Sequence, residues 1–306
     1  MLGSIPVRED VLFANSKGEE KASIRERAKD RIRKLEPALQ KLLTKDEVVF
    51  YTAAATAPMN GLETFTLGSI GRRVSRVTLV FTEKRILAFR VDSHGNWRSS
   101  VRGCAYADTS SIEAGGFFSS YLRLKFRGGK SVGFPNLGRG EAKTLKQILP
   151  VVQQSAAGQL GGLPEMVQYC PTCSNVLTPG VYECGNCHQL FRSESSLWWR
   201  ALIPGGAYFY ARQSGLGTLH AIADSILSLD LLVVLGTLIA GVSAGKLFGP
   251  ALTETEVALL YLFVLTSLEK LIAVYHARRF IREFIPIEGT SHQQRIQAAS
   301  ASPSGL

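Results

Sequence analysis

The sequence predicts a multidomain α+β membrane protein, and three observations carry that prediction. Apolar and polar residues alternate with a period of two from residue 48 to about residue 149. Four of the five cysteines form two CxxC pairs, and two long apolar windows follow toward the carboxyl end. A length of 306 residues leaves room for two or three modules of this kind.

Positive charge is concentrated in the first half of the chain. Residues 48–150 carry 15 basic and 6 acidic side chains, so they hold nearly all of the net charge of +10. Such a field favours anionic partners, namely lipid headgroups, nucleic acid or acidic peptides. The start, Met1 to Lys21, lacks an apolar core behind a basic end, so we expect no secretory signal there.

A basic amphipathic helix is predicted from Gly18 to Leu43. Pro37 lies inside this window and is expected to split or kink the helix. Three interpretations stay open: a membrane-surface helix, a short coiled-coil arm, or a helix packed on the next domain with a solvated basic face. The predicted apolar stripe consists of Ile24, Ala28, Ile32, Leu35, Leu39 and Leu42.

A β domain with a closing helix is predicted next. Turns are indicated at residues 82–85 and 127–130, and the helix at Gly140 to Val152. Cys104 fits one strand as a small buried residue. The predicted strands are Val48–Ala55, Val74–Phe81, Ile86–Val91, Trp97–Tyr106, Ser111–Ala114, Tyr121–Phe126 and Ser131–Phe134.

One hairpin of this domain carries a resemblance. The residues from Val77 to Phe89, VTLVFTEKRILAF, resemble the central hairpin of bacterial pleckstrin-homology-like (PH-like) domains. An apolar strand, a Thr, a short polar turn with Lys-Arg and a second apolar strand make up that pattern. The resemblance implies a seven-stranded PH-like β barrel closed by a carboxyl-terminal helix.

The two CxxC pairs predict a structural zinc site. Cys170 and Cys173 are separated by ten residues from Cys184 and Cys187, and this spacing strongly resembles zinc-ribbon domains over residues 169–191. Zinc prefers four tetrahedral ligands, and a four-cysteine site leaves no open position for catalysis. A covalent haem at the CxxCH motif and a dithiol–disulfide pair are the weighed alternatives, and His188 is expected to flank the site.

Two membrane spans are predicted, from Ile226 to Leu247 and from Val257 to His276. They extend about 33 and 30 Å as helices, while a soluble helical hairpin is the alternative. Gly249-Pro250 breaks the connector, whose one basic residue is Lys246. Arg200 and Arg212 precede the spans and Arg278, Arg279 and Arg282 follow them, so both termini are expected in the cytoplasm.

Four charged residues lie within or beside the spans: Asp224, Asp230, Glu269 and Lys270. If the tip of the hairpin lies near Pro250, Asp230 and Lys270 come to the same depth on neighbouring helices. We therefore expect these two to pair as a structural clasp, with no evident partner for Glu269. The same charges could instead mark an ion or proton path.

An aromatic stretch from Leu197 to Gly217 precedes the spans, interrupted by Pro204. Its tryptophans and tyrosines suit the headgroup layer, which predicts an interfacial or re-entrant helix pair. The stretch is similar to the Pro-Gly-rich entry of small two-span hairpin membrane domains, although Ala207 and Arg212 stand where those domains often have further glycines.

These features predict a membrane-anchored, non-enzymatic adaptor or scaffold. We expect the β domain to bind anionic lipid or a protein through Arg72, Arg73, Arg76, Lys84 and Arg85. A small transporter or channel component using the intramembrane charges is the alternative. Nucleic-acid binding is disfavoured because aromatic and basic residues are not interleaved along the chain. An enzyme is not expected, because we find no catalytic motif in the sequence.

The predicted module boundaries follow from these patterns. They are a basic helix (1–47), a PH-like domain (48–152), a linker (153–168), a zinc ribbon (169–192), interfacial or re-entrant helices (195–220), a two-span hairpin (221–285) and a disordered tail (286–306).

Overall fold

A computed structural model describes residues 1–116, 119–156, 163–243 and 254–288 of the chain. The described residues form two compact units, one from Met1 to Leu190 and the other from Phe191 to Ile287. The predicted break at Gly249-Pro250, the connector residue Lys246 and nearly all of the predicted disordered tail lie outside the described residues. So does the centre of the predicted linker, at residues 157–162.

The first unit is built on two antiparallel sheets. A six-stranded sheet has the order β1-β2-β3-β4-β8-β9, and a three-stranded sheet has the order β5-β6-β7. The seven predicted strands of the β domain are all present, with ends shifted by at most two residues. The strands are β1 (Val49–Thr56), β2 (Arg76–Thr82), β3 (Arg85–Val91), β4 (Trp97–Ala105), β5 (Thr109–Gly115), β6 (Tyr121–Phe126), β7 (Ser131–Pro135), β8 (Val167–Tyr169) and β9 (Val176–Leu177).

The two sheets of the described residues do not close into the barrel that the PH-like resemblance implied. At one end of the larger sheet, the outer edge of β1 is bound by the backbone of residues 6–8 at Val49 and by side chains further along, where Thr52 O accepts from Arg31 and Ala54 N donates to Glu141. At the other end, β4 pairs with β8 instead of turning into the second sheet. Both edges that a closed barrel would join are therefore already in use.

The larger sheet is covered on both faces. On one face, Leu79, Phe81 and Ile86 pack against the second sheet and the helix α4 (Arg139–Ala156). On the other face lie Val80 and Phe89, in a second apolar cluster with the helix α2 (Ala22–Leu42). Because both faces are buried, successive residues of β2 and β3 are buried alike.

The burial of the apolar stripe of α2 decides among the three interpretations of this helix. Five of the six predicted stripe residues, Ala28 to Leu42, are buried in the cluster with the sheet. The helix is therefore packed on the domain, and its stripe does not face a membrane or a coiled-coil partner. The helix runs through Pro37 to Leu42, so the predicted split does not occur. A short helix α1 (Glu9–Leu12) precedes it.

A helix that the sequence analysis did not predict lies between β1 and β2: α3 (Gly61–Val74). Asn60 caps its start by accepting from Glu63 N at 2.8 Å, while the Glu63 carboxylate accepts from Asn60 N at 2.9 Å. Three glycines in 14 residues lower the helix propensity of this segment, so a prediction based on propensity does not find the helix. One of them, Gly68, has φ 49° and bends the helix.

All the regular elements among the described residues of the second unit are helices. Its helices are α5 (Glu194–Ala201), α6 (Gly206–Tyr210), α7 (Ser214–Ser243) and α8 (Glu254–Ile281). The long helix α7 starts at Ser214, so it includes the end of the segment predicted as interfacial. Glycines permit the tight turn before it: at Gly205, with φ +65°, a Cβ would lie 2.1 Å from Gly217 O.

Candidate functional site

Two backbone turns of the same geometry present the four clustered cysteines. In each turn the N–H of the first cysteine donates to the carbonyl five residues on, and its carbonyl accepts from the N–H four residues on. These bonds measure 2.8 and 2.9 Å at Cys170, and 3.0 and 2.9 Å at Cys184. The residue four positions on has a positive φ in both turns, 60° at Ser174 and 54° at His188. The two CxxC segments are thus matching knuckles.

The four sulfur atoms fit one tetrahedral metal ion. All four Sγ atoms lie within 4.8 Å of one another, with 3.6 Å from Cys170 to Cys187 and 3.5 Å from Cys173 to Cys184. Four thiolates about 2.3 Å from a central ion would be about 3.8 Å apart, close to these values. A disulfide would bring two sulfurs to about 2.05 Å, and all the cysteines are free. The cluster can therefore bind a metal ion.

The local hydrogen bonds of the cluster favour thiolate at one position in particular. Burial acts to raise the pKa of Cys173, but the Asn186 side chain and the Asn175 backbone N–H donate to its sulfur and bring the pKa down to about 7.

Burial raises the pKa of the Cys170 thiol, and raises that of Cys187 to about 11. Metal ligands must be deprotonated, so an ion that binds here has to displace protons from these two thiols. His188 flanks the cluster as expected, with its Nδ1 2.8 Å from Glu183 Oε1.

The cysteine module is joined to the β domain by sheet hydrogen bonding. Strand β8 pairs with β4, placing Tyr169 opposite Val101, and β9 extends the sheet further. The ring of Tyr169 also lies 5.5 Å from the guanidinium of Arg85. Ser174 Oγ, in the first knuckle, donates to Lys41 O of α2 at 2.9 Å. The cysteine module is therefore an extension of the sheet and not a separately tethered ribbon.

Two of the five predicted lipid-binding residues bond to other side chains of the first unit. Arg85 makes two hydrogen bonds of 2.9 Å to the fully buried carboxylate of Glu47. Lys84 Nζ donates to Thr44 Oγ1 at 3.1 Å. Arg85 is thus held by an ion pair with a buried carboxylate, and Lys84, which is exposed, bonds to the loop after α2. Binding of lipid or a partner by these two residues stays a prediction.

The other three predicted residues, Arg72, Arg73 and Arg76, are exposed and lie together. They line one groove of about 500 Å³ between α2, α3 and the loop after β3. Arg76 Nη1 donates to Ser93 O at 2.9 Å along its wall. The charged residues of the groove are Asp30, Arg31, Lys34, Arg72, Arg73, Arg76 and Asp92. Basic side chains outnumber acidic ones, so the groove suits an anionic group.

The second unit contains two helices that are long and apolar enough to cross a membrane. Their apolar stretches are Ser214–Thr237, with mean hydropathy 1.8, and Glu256–Ile281, with mean hydropathy 2.0. Few of their residues are buried, 6% and 11% of the most apolar windows. The core helix of a soluble protein would instead bury such residues against its neighbours.

Lys270 pairs with Asp224 and not with Asp230, so the predicted clasp is wrong in its acidic member. Lys270 Nζ lies 2.6 Å from Asp224 Oδ2, and the same oxygen accepts from Gly205 N at 2.8 Å. Asp230 is exposed, about 9 Å further along α7. The prediction placed the register by counting from Pro250, whereas packing of the α5–α6 turn against α7 places Asp224 opposite Lys270.

Sequence analysis also missed the partner of Glu269 and a second polar pair. Glu269 Oε1 contacts His220 Nδ1, and Tyr208 OH lies 2.8 Å from His276 Nδ1. The rings of Tyr208 and His220 are 4.5 Å apart. The four-residue spacing of His220 and Asp224, which puts both on one face of α7, was the signal available in the sequence.

No model of a known protein family matches the chain, and no curated protein matches it significantly.

Proposed function

We propose that the chain is a membrane-anchored, non-enzymatic adaptor whose first unit binds an anionic lipid surface and is stabilised by structural zinc. One observation carries the proposal: α7 and α8 expose apolar side chains around their circumference. On α7 the exposed large residues include Ile222, Ile226, Leu229, Leu232, Val233, Leu235 and Ile239, and on α8 they include Val257, Leu260, Phe263, Val264, Leu268 and Leu271. Lipid is the solvent in which that surface is stable.

The short helices before the spans support the same environment. Trp199 and Leu202, at the end of α5, are 77% and 70% exposed, and Trp198 and Phe209 are also exposed. Tryptophan is enriched at the headgroup level of membranes. We infer that α5 and α6 lie at the interface, next to the start of the first span.

Arginine distribution gives the orientation that we propose. Arg278, Arg279 and Arg282 follow the apolar part of α8, and Arg200 and Arg212 precede that of α7. An excess of basic residues at both ends of a hairpin favours a cytoplasmic location for both ends. That compartment also keeps thiols reduced, as a four-cysteine zinc site requires.

Zinc is the ion that we propose for the cysteine cluster. Four thiolates in tetrahedral arrangement are its usual structural ligand set, and they leave no position for a reacting water. The knuckles resemble those of a zinc ribbon, and the seven strands with α4 resemble a PH-like domain whose barrel is open. Both modules support a role in binding and not in chemistry.

Membrane extraction tests the proposal directly. Full-length protein expressed in bacteria should sediment with membranes, resist extraction by alkaline carbonate, and dissolve only in detergent. A variant truncated before Phe191 is the matched control and should lose this behaviour. Release of the full chain by carbonate without detergent would contradict membrane insertion.

A second candidate function rests on the polar cluster of the hairpin. Asp224 Oδ1 and Glu269 Oε2 are buried oxygens without a hydrogen-bond partner among the described residues. Asp224, Glu269, Lys270 and His220 together are neutral only when His220 or a carboxyl group carries a proton, so the cluster suits proton uptake. Proton flux into liposomes that disappears in Glu269→Gln protein of unchanged thermal stability would favour transport.

A further inference from the structure

We propose that α3 is the element that docks the first unit onto an anionic bilayer, by inserting apolar side chains beside a group of arginines. This inference rests on the proposed membrane anchoring and adds the residues that make the contact. Its apolar part consists of Leu62, Phe65 and Ile70, which are 55%, 86% and 40% exposed. Phe65 is the most exposed large apolar side chain among the described residues.

The way α3 is held explains why these side chains face outward. Glu63, Leu67 and Gly71 are buried at a spacing of four residues, so they form the inner face of the helix. A Cβ at Gly71 would lie 2.8 Å from the Cβ of Leu67, one turn earlier in α3, and 3.2 Å from the sulfur of Met59, just before the helix, so there is no room for a side chain at this position. With these three residues buried and the capping box at its start, α3 has Leu62 and Phe65 turned outward.

Basic side chains border the apolar part. Arg72 and Arg73 lie in the last turn of α3, and Arg76 begins β2 two residues after the helix ends; all three are exposed. The one acidic residue of α3, Glu63, is buried and bonded to the backbone of Asn60. A surface with protruding apolar tips and neighbouring guanidinium groups matches a bilayer of anionic lipid, which offers an apolar layer beneath phosphates.

The apolar anchors of the same chain make weak docking sufficient. Once α7 and α8 are in a bilayer, α3 is attached to that bilayer through the chain. Binding of α3 to lipid is then intramolecular, and it depends on the effective concentration of the bilayer near α3 and not on the concentration of lipid in bulk solution. Three apolar side chains and two arginines on α3, with Arg76 at the start of β2, therefore need no other attachment to stay on the surface.

Photo-crosslinking identifies the molecule that covers α3. Phe65 is replaced by p-benzoylphenylalanine in the full chain, which is reconstituted into phosphatidylcholine bilayers with or without phosphatidylserine. We expect lipid adducts at position 65, several-fold more abundant when phosphatidylserine is present. Val151, which is 64% exposed at the end of α4, is the matched control position and should give almost no lipid adduct.

A charge reversal tests the arginines separately. In an Arg72→Glu/Arg73→Glu variant that still carries the photo-crosslinker, the adduct yield in phosphatidylserine bilayers should fall at least about fivefold, since each basic residue near an anionic surface contributes about that factor. Equal yields at positions 65 and 151 would overturn the proposal. Protein–protein adducts at position 65 would also overturn it, because they identify a second copy as the occupant.

Failure of α3 docking and failure of membrane anchoring give different results. If anchoring fails, the protein leaves the membrane fraction in carbonate and no reconstituted sample forms. If only α3 docking fails, the chain remains in the bilayer and position 65 gives no lipid adduct.

Discussion

The guanidinium of Arg31 in α2 and the carboxylate of Glu141 in α4 meet at 2.7 Å over the outer edge of β1. Each also binds the backbone of that edge, Arg31 to Thr52 O at 3.0 Å and Glu141 to Ala54 N at 3.2 Å. One ion pair thus satisfies two backbone groups that a neighbouring strand would otherwise bind. It protects an edge strand that could pair with another chain.

Replacing Glu141 with Gln should destabilise the first unit by about 1–3 kcal/mol, because it weakens the acceptor for both Arg31 and Ala54 N. Thermal unfolding of single and double variants with Arg31→Met gives the coupling energy between the two side chains. Lys125–Glu113, an exposed pair at 2.6 Å, is the matched control and should show a coupling of at most about 1 kcal/mol. A similar coupling in both pairs would contradict a special role at the edge.

The buried pair of Glu47 and Arg85 predicts a dependence of stability on pH. Burial acts to raise the pKa of Glu47, but hydrogen bonds from Arg85 and Thr82 outweigh it and hold the pKa below its usual value. Such a carboxylate stabilises the folded state above the pKa of the unfolded chain, and this contribution is lost as pH falls below about 4.5. Glu47→Gln should cost about 3 kcal/mol at neutral pH.

The difference in unfolding free energy between the natural protein and Glu47→Gln isolates this effect. It should shrink as the pH is lowered from about 6 to 3, since protonation then removes the charge of Glu47. Acid also releases metal from thiolates, but that loss is common to both proteins and cancels in the difference. A difference that stays constant with pH would show that Glu47 does not titrate with folding.

The cysteine cluster should hold one zinc ion per chain. Cys184→Ser should lose the metal and loosen β8 and β9, because both knuckles are needed to bind the ion. Metal content by mass spectrometry and the visible spectrum of the cobalt-substituted protein measure this. Cys104→Ser is the control and should keep its zinc, since Cys104 lies apart from the cluster, in β4.

Cys104 should also resist alkylation in the folded protein. Burial, with a smaller contribution from Asp108, raises the pKa of its thiol to about 12. After metal removal, maleimide should therefore modify the four cluster cysteines and leave Cys104 unmodified. Rapid labelling of Cys104 would indicate that the sheet opens when the metal leaves.

Asp224 should matter to the stability of the hairpin, and Asp230 should not. Asp224→Asn should lower stability in detergent by about 2 kcal/mol, since Lys270 would lose its charged partner. Asp230→Asn should lower stability by less than about 0.5 kcal/mol, because Asp230 is exposed on a helix that we propose lies in lipid, where removal of a charge is not destabilising. Thermal unfolding in mild detergent measures both, and a larger effect at Asp230 would restore the original pairing.

A charge-swapped pair, Asp224→Lys with Lys270→Asp, should recover little stability. Asp224 Oδ2 also accepts the N–H of Gly205, and an ammonium group cannot accept a hydrogen bond. Full recovery in the swapped protein would mean that the ion pair alone, and not the bond to the turn at Gly205, accounts for the role of Asp224.

The sequence by itself determined what local periodicity and spacing encode. The seven strands from β1 to β7, the helices α2 and α4, the four clustered cysteines and the two apolar helices were all predicted. Each depends on residues close together in the chain: alternation for a strand, a three-to-four spacing for a helix, and two CxxC turns for a metal cluster. A barrel was expected from the resemblance of one hairpin and from the number of strands, and neither reports how the edges of the sheets are used.

Only the tertiary structure decided which distant residues meet. It placed Lys270 on Asp224, closed the edge of β1 with Arg31 and Glu141, and paired β8 with β4. It also formed α3, whose glycines oppose a helix, with an Asn60 cap at its start and with Glu63 and Leu67 buried. Such contacts depend on the register of elements far apart in the chain, which is set by the packing of side chains and carries no signal in local spacing.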